Sequence, residues 1–261
     1  MLKTLPLEYN NSLKRIYEFI SNNIFDLSFF SYDNIYYTDN IKEDALLFYK
    51  NPTIEIKKNT EGITILPNEI IKDIIILINI SSNDVLIYAL NMVHELIHTY
   101  DLNAFAYKYT YNDLRKIQHH HLYLTYVEWS EVKAYSLANF YVYYIVDTYS
   151  NENYTDQWIQ KRKKVLKESL LELRKELLTN SISSHELSTI LGMIHSLDCY
   201  YSVPNISKSF AYEYLPILFD EKYLEQIYSL YSLYFDSIKN NRIWENLQEI
   251  QMIEKSLHKK K

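Results

Sequence analysis

Met92-Val93-His94-Glu95-Leu96-Ile97-His98-Thr99-Tyr100-Asp101 contains the pattern His-Glu-x-x-His. On a helix, His94 and His98 are four residues apart, so both imidazoles leave the same face one turn apart. Two nitrogens placed that way can bind one zinc ion at about 2.0–2.1 Å. Glu95 cannot join the ligand row but borders it, where it can take a proton from zinc-bound water. The bare pattern arises by chance in roughly one or two of every hundred chains with this many histidines. Its setting adds to it: Val93, Leu96, Ile97 and Thr99 are uncharged, as a helix threaded through a core requires. The competing explanation is a core helix with two partly buried histidines bonded to neighbours.

Before this stretch, Ser81, Ser82 and Asn83 are good caps for a helix over 83–100 that turns Val85, Leu86, Ala89, Leu90, Val93 and Ile97 inward. The run 70–80 fits either a buried strand or the start of a helix. Thr53 to Lys57 and Gly62 to Leu66 alternate apolar and polar around the turn-like Asn59-Thr60-Glu61-Gly62, which predicts a β-hairpin. A sheet edge beside the histidines would give an extended peptide something to pair with. Residues 8–23 read as an amphipathic helix with Leu13, Ile16, Tyr17 and Ile20 inward. Between 24 and 50 only a short helix near Glu43–Tyr49 is expected.

After it, 102–120 reads as a polar, partly irregular crossing. His119-His120-His121 point in different directions on any regular element, so they suit a polar loop or helix start better than a shared metal; a single ligand or transition-state donor stays open. Residues 124–149 form a strong helix in which Glu128 and Glu131 lie one turn apart. A catalytic zinc usually takes three protein ligands and keeps a fourth position for water. The third ligand must come from a second element, and Glu131 is preferred because Ala134, one turn on, permits close helix packing. Glu128 is the alternative, and a solvated carboxylate stripe is the competing explanation. Asp101 either fixes the tautomer of a ligand histidine or is a helix-end polar residue.

His94-Glu95-Leu96-Ile97-His98 with downstream Glu131-Val132-Lys133-Ala134 resembles the gluzincin branch of the zincin metallopeptidases. More narrowly, His-Glu-Leu-Ile-His-Thr-Tyr-Asp over 94–101 and Ser-Glu-Val-Lys-Ala over 130–134 resemble the mitochondrial ATP-synthase-assembly metallopeptidase family and its bacterial and phage relatives. The resemblance covers roughly residues 53–140. It implies His94, His98 and Glu131 as zinc ligands and Glu95 as catalytic base. The chain departs from the pattern in two ways: that family's cysteines around its second motif are missing, and the aspartate that thermolysin-like enzymes carry four residues after the third ligand is Tyr135 here. A metzincin is disfavoured, because Asp101 and Ala104 stand where its glycine and third histidine belong.

Beyond Tyr149 the character changes. Residues 150–153 read as a linker, and a charged helix to about 178 should bury Val165, Leu166, Leu170, Leu173 and Leu177. Its Lys161-Arg162-Lys163-Lys164 run is a solvated face or, less simply, a binding patch. A helix over 185–201 follows a turn at 180–184 and holds His195, Asp198 and Cys199. His195 is either an oxyanion donor or a packed histidine. Pro204 and Pro216 punctuate helical stretches near 206–215 and 220–257.

Composition narrows the class. Hydrophobic residues make up 48% and charged ones 23% of 261, as in a globular chain of one large domain or two lobes. The net charge of −6 offers no general attraction to nucleic acid. Phosphate-cradling loops need several glycines, and 2 in the chain disfavour a nucleotide fold of the Rossmann or P-loop type. The 27 tyrosines are read as a coding bias rather than a function. Cys199 is the single cysteine, so no intrachain disulfide forms. Nothing at the N-terminus resembles a secretory signal, and the longest apolar run falls far short of the roughly 20 residues a membrane span needs. A soluble cytoplasmic protein is expected, with signal-less export left open.

The expected fold is a helix-rich α+β protein: a zincin-like lobe over 1–150 with a small sheet and an active-site helix, and a helical C-terminal lobe over 151–261. The expected chemistry is hydrolysis of a peptide or protein substrate by zinc and Glu95. A glutamate ligand favours a catalytic over a structural zinc site, which prefers Cys and His. Two alternatives stand: a catalytically silent zincin-fold assembly module, for which Glu95 is unneeded, and a helical interaction protein with a coincidental motif.

Overall fold

The computed structural model describes residues 2–48, 60–82, 84–149, 154–177 and 183–258. The chain is a helix-rich α+β protein with a small three-stranded sheet. Its contacts divide it into two compact units, Met1–His120 and His121–Lys261.

The first unit is built on α3 (Val85–Lys108) and a sheet of β1 (Ile35–Thr38), β2 (Gly62–Ile65) and β3 (Ile75–Asn79), with α1 (Leu7–Asn23) and α2 (Ile41–Ala45) around them. Strand order is β1-β3-β2, with β1 parallel and β2 antiparallel to β3. β3 is central, and Ile75 to Ile78 are all buried, so this strand has an apolar run instead of alternation. That resolves the ambiguity over 70–80 in favour of a strand. β2 is the second strand of the expected hairpin; the first, 53–57, lies outside the described residues. Its partner is β3, with Gly62 opposite Ile78 and Ile65 opposite Ile75. β1 was not foreseen: Ile-Tyr-Tyr-Thr is too short for a period and sits among turn residues. It is recruited by pairing with β3 and by an isolated bridge from Lys3 to Tyr37.

Asp84 caps α3 by accepting from the Leu86 amide at 2.9 Å, where Ser81 and Ser82 were expected to serve; Asn83 lies outside the described residues. Met92, Val93, Leu96, Ile97 and Phe105 are fully buried. The helix runs on to Lys108, through much of the stretch expected to be irregular, because Leu102, Phe105 and Ala106 continue its buried face. It closes with two bonds, from the Tyr111 amide to Ala106 O at 2.8 Å and from the Thr110 amide to Tyr107 O at 3.2 Å. These place Thr110 in the left-handed region at φ 57°, where glycine is usual.

The second unit is all helical: α4 (Tyr123–Tyr149), α5 (Tyr154–Leu177), α6 (Ser184–Tyr200), α7 (Ala211–Leu218), α8 (Glu221–Lys239) and α9 (Ile243–His258). The linker at 150–153 and residues 180–182 of the expected turn lie outside the described residues. α6 begins with a capping box, the Ser183 hydroxyl accepting from the Glu186 amide while the Glu186 carboxylate accepts from the Ser183 amide. On α5, Leu166 and Leu170 are buried as expected, but Val165 is exposed. Lys163 of the basic run lies over the Tyr201 and Phe210 rings. The expected stretch over 220–257 is two helices, split where Asn241 takes φ 54°. Asp198 ties α6 to the start of α7 and to α8, accepting from Ser209 Oγ and Tyr231 Oη, each at 2.6 Å, and from the Phe210 amide at 2.9 Å.

α4 and α6 cross closely at Gly192. A Cβ there would stand 2.6 Å from Tyr135 Cβ and 2.8 Å from the Val132 carbonyl oxygen, so the helices could not stay at this separation. Among the described residues no helix is long and apolar enough to cross a membrane. Gly192→Ala is expected to destabilise the protein by about 1–3 kcal/mol in urea unfolding, despite alanine's better helix propensity. Thr110→Gly is expected to do the reverse, raising stability by about 0.5–1 kcal/mol through relief of the left-handed strain.

Candidate metal centre

α3 sets the first two groups. His94 and His98 stand one turn apart with their Nε2 atoms 3.0 Å from each other and their rings nearly perpendicular, at 76°. Two nitrogens on one tetrahedral zinc stand about 3.3 Å apart, given bond lengths of about 2.0–2.1 Å. His98 is buried and His94 half-buried.

Glu95 is 6% exposed and turns toward β2. The Thr64 hydroxyl donates to its Oε2 at 2.7 Å. Gly62 lies beneath the same carboxylate: a Cβ on this glycine would stand 2.8 Å from Oε1 and 2.9 Å from Cγ. One turn earlier, Asn91 Nδ2 donates to Glu61 Oε2 at 3.1 Å, so a second polar contact ties the helix to the approach to β2. Asp101, on the turn after His98, is also buried, at 1% exposure.

Glu131 projects from α4 with its side chain 20% exposed. His185, at the start of α6, places Nδ1 4.0 Å from Glu131 Oε1, and its ring also meets Tyr135 at 6.5 Å. One ligand atom from each of His94, His98 and Glu131 lies within 4.8 Å of the other two, a group able to hold a metal ion. The donors suit zinc: two imidazoles and a carboxylate are three ligands of the kind catalytic zinc takes, leaving a fourth position open.

Glu128 is not in that group. It hydrogen-bonds Glu254 of α9, which also accepts from Tyr234 Oη at 2.6 Å and from Thr125. Burial first, and the Glu128 charge second, push the Glu254 carboxyl up to about 8, so the pair holds a proton at neutral pH.

His120 and His195 are engaged elsewhere. The His120 ring packs against Tyr109 at 4.0 Å and Phe105 at 5.2 Å, and the His121 carbonyl accepts from Gln251 Nε2 at 2.8 Å. His195 is 2% exposed, with Nδ1 2.6 Å from Ser136 Oγ and 3.4 Å from Cys199 Sγ. Burial, then the positive charge of Lys239, pushes its pKa down to about 3, so it is a neutral core histidine. Burial likewise pushes the Cys199 thiol up to about 11, which leaves it an unreactive thiol.

Reasoning from the sequence did not single out Thr64, Gly62 or His185 for the site. Gly62 and Thr64 were legible as strand and turn, but nothing in a strand pattern signals a carboxylate from a later helix resting on it. No family model, no curated protein and no solved structure matches this chain.

The Glu254 carboxyl generates a pH test. Its folded pKa lies above the usual value of 4.5, so its contribution to stability is present below pH 4.5 and lost as pH rises through about 8. Glu254→Gln is expected to flatten the fall in urea midpoint over that window and to exceed wild type in stability at pH 9.

Proposed function

We propose that this chain is a zinc-dependent metallopeptidase in which His94, His98 and Glu131 hold the ion and Glu95 is the catalytic base. The observation that carries this reading is the approach of the three ligand atoms to within 4.8 Å, beside a buried carboxylate one residue from the first histidine. The resemblance of residues 94–101 and 130–134 to gluzincin motifs supports the same assignment. A zinc ion held there supplies Lewis acidity, polarising a scissile carbonyl and acidifying water.

The chain's own residues do the rest. Glu95 is anchored through Oε2 by Thr64, while Oε1 has no hydrogen-bond partner among the described residues. Oε1 is therefore the oxygen that accepts a proton from the attacking water and passes it to the leaving amine. Burial at 6% exposure keeps bulk water from competing for that proton. The substrate class is a peptide or protein. The cytoplasm is the proposed compartment, where the lone Cys199 stays reduced.

The test is metal content by mass spectrometry of the purified protein, with wild type beside Glu131→Gln, Glu128→Gln and Glu95→Gln. About one zinc per chain is expected in wild type, Glu128→Gln and Glu95→Gln, with most of it lost in Glu131→Gln. Glu95→Gln should also lower hydrolysis of labelled casein on the order of 10²–10⁴-fold. A wild type that takes up no zinc, or a Glu131→Gln protein that keeps all of it, would overturn the assignment.

A further inference from the structure

We propose that Thr64 and Gly62 are positioning residues that aim the Glu95 carboxylate. The inference rests on the metallopeptidase reading and extends it from the metal-bearing helix to the neighbouring strand. Two separate observations carry it.

The first is the hydroxyl. Thr64 Oγ1 is 2.7 Å from Glu95 Oε2 and 3.2 Å from the Glu95 carbonyl oxygen, and its single proton goes to the nearer acceptor, the carboxylate. A carboxylate at 6% exposure needs such a donor, since burying it unbonded would cost several kcal/mol. The bond also selects which oxygen is spent on the scaffold, leaving Oε1 for proton transfer.

The second is the glycine. Only 2 glycines occur in 261 residues, and this one sits where a Cβ would stand 2.8 Å from Oε1, 2.9 Å from Cγ and 3.2 Å from Cδ of Glu95. Any other residue would have to move the carboxylate. The strand therefore sets the position of Glu95 in two ways, by attraction at Oε2 and by leaving, at Gly62, the space that Oε1 and Cγ occupy. β2 is held in turn by antiparallel pairing with β3, which places Gly62 opposite Ile78 and Thr64 opposite Ile76. A general base aimed by a paired strand is better fixed than one relying on its own rotamer.

The experiment compares Thr64→Val, Thr64→Ser and Gly62→Ala, each also in a Glu95→Gln background. Zinc content is measured by mass spectrometry. kcat and KM are measured on whichever quenched fluorogenic peptide wild type cleaves fastest from a randomised set. Thr64→Val removes the donor at nearly constant volume and leaves the zinc ligands alone. It is expected to keep its zinc, to lower kcat on the order of 10–100-fold and to leave KM unchanged. Thr64→Ser restores the hydroxyl and should recover most of kcat. Gly62→Ala should lower kcat with zinc retained.

The decisive arm is the double variant. If Thr64 acts through Glu95, adding Thr64→Val to Glu95→Gln costs no further activity. A drop of the same size in both backgrounds, or failure of serine to rescue, overturns the positioning role while leaving the peptidase reading intact. A wild type with neither zinc nor hydrolysis overturns both, and is recognised because the variants then differ from it in nothing. If Gly62→Ala fails to fold, the threonine series alone decides.

Discussion

The first unit must bury a carboxylate. Helix α3 carries Glu95 at 6% exposure between His94 and His98, with Asp101 one turn further along at 1%. Four polar groups in two turns of a core helix are costly unless the surroundings answer them. For Glu95 the answer comes from β2, whose Thr64 donates to the carboxylate and whose Gly62 makes room for it. The sheet therefore does more than cover an apolar helix face. β3 is buried on both faces and anchors β2, and β2 sets where the carboxylate can lie.

The same economy recurs in the use of glycine. Each of the 2 glycines stands where a side chain would collide, Gly62 under Glu95 and Gly192 at the α4–α6 crossing. None remains for closing helices. Left-handed residues that usually would be glycine are instead Thr110, Ser202 and Asn241, at φ 57°, 50° and 54°. The chain accepts local strain of roughly 1 kcal/mol at each such end. The closing bonds to Ala106, Asp198 and Ser237 show that helix termination here depends on backbone hydrogen bonding rather than on residue preference.

In the second unit, polar groups specify the helix packing. Asp198 gathers Ser209, Phe210 and Tyr231; Ser136, His195 and Cys199 lie together between α4 and α6; Glu254 engages Tyr234 and Glu128. The last of these bears on the proposed metal centre. With Glu128 committed to α9, it is Glu131, one turn on and facing His185, that remains beside the histidines as a candidate ligand. The preferred carboxylate and its alternative one turn away thus have different surroundings.

Much was legible in the sequence because it is local. The 3.6-residue period located α1, α3 and α4, and the i, i+4 spacing put His94 and His98 on one face whatever the helix packs against. What needed partners far along the chain was not legible. β1 is a strand because β3 lies beside it, α3 reaches Lys108 because its later residues stay buried, and 220–257 divides because Asn241 turns the chain. The pairing of Glu95 with Gly62 and Thr64 joins residues more than thirty positions apart, which no periodicity encodes. The sequence by itself determined a helix able to present two imidazoles and an adjacent carboxylate. Only tertiary structure decided which strand holds the carboxylate, because burial and hydrogen bonding depend on what is packed alongside rather than on what is adjacent in the chain.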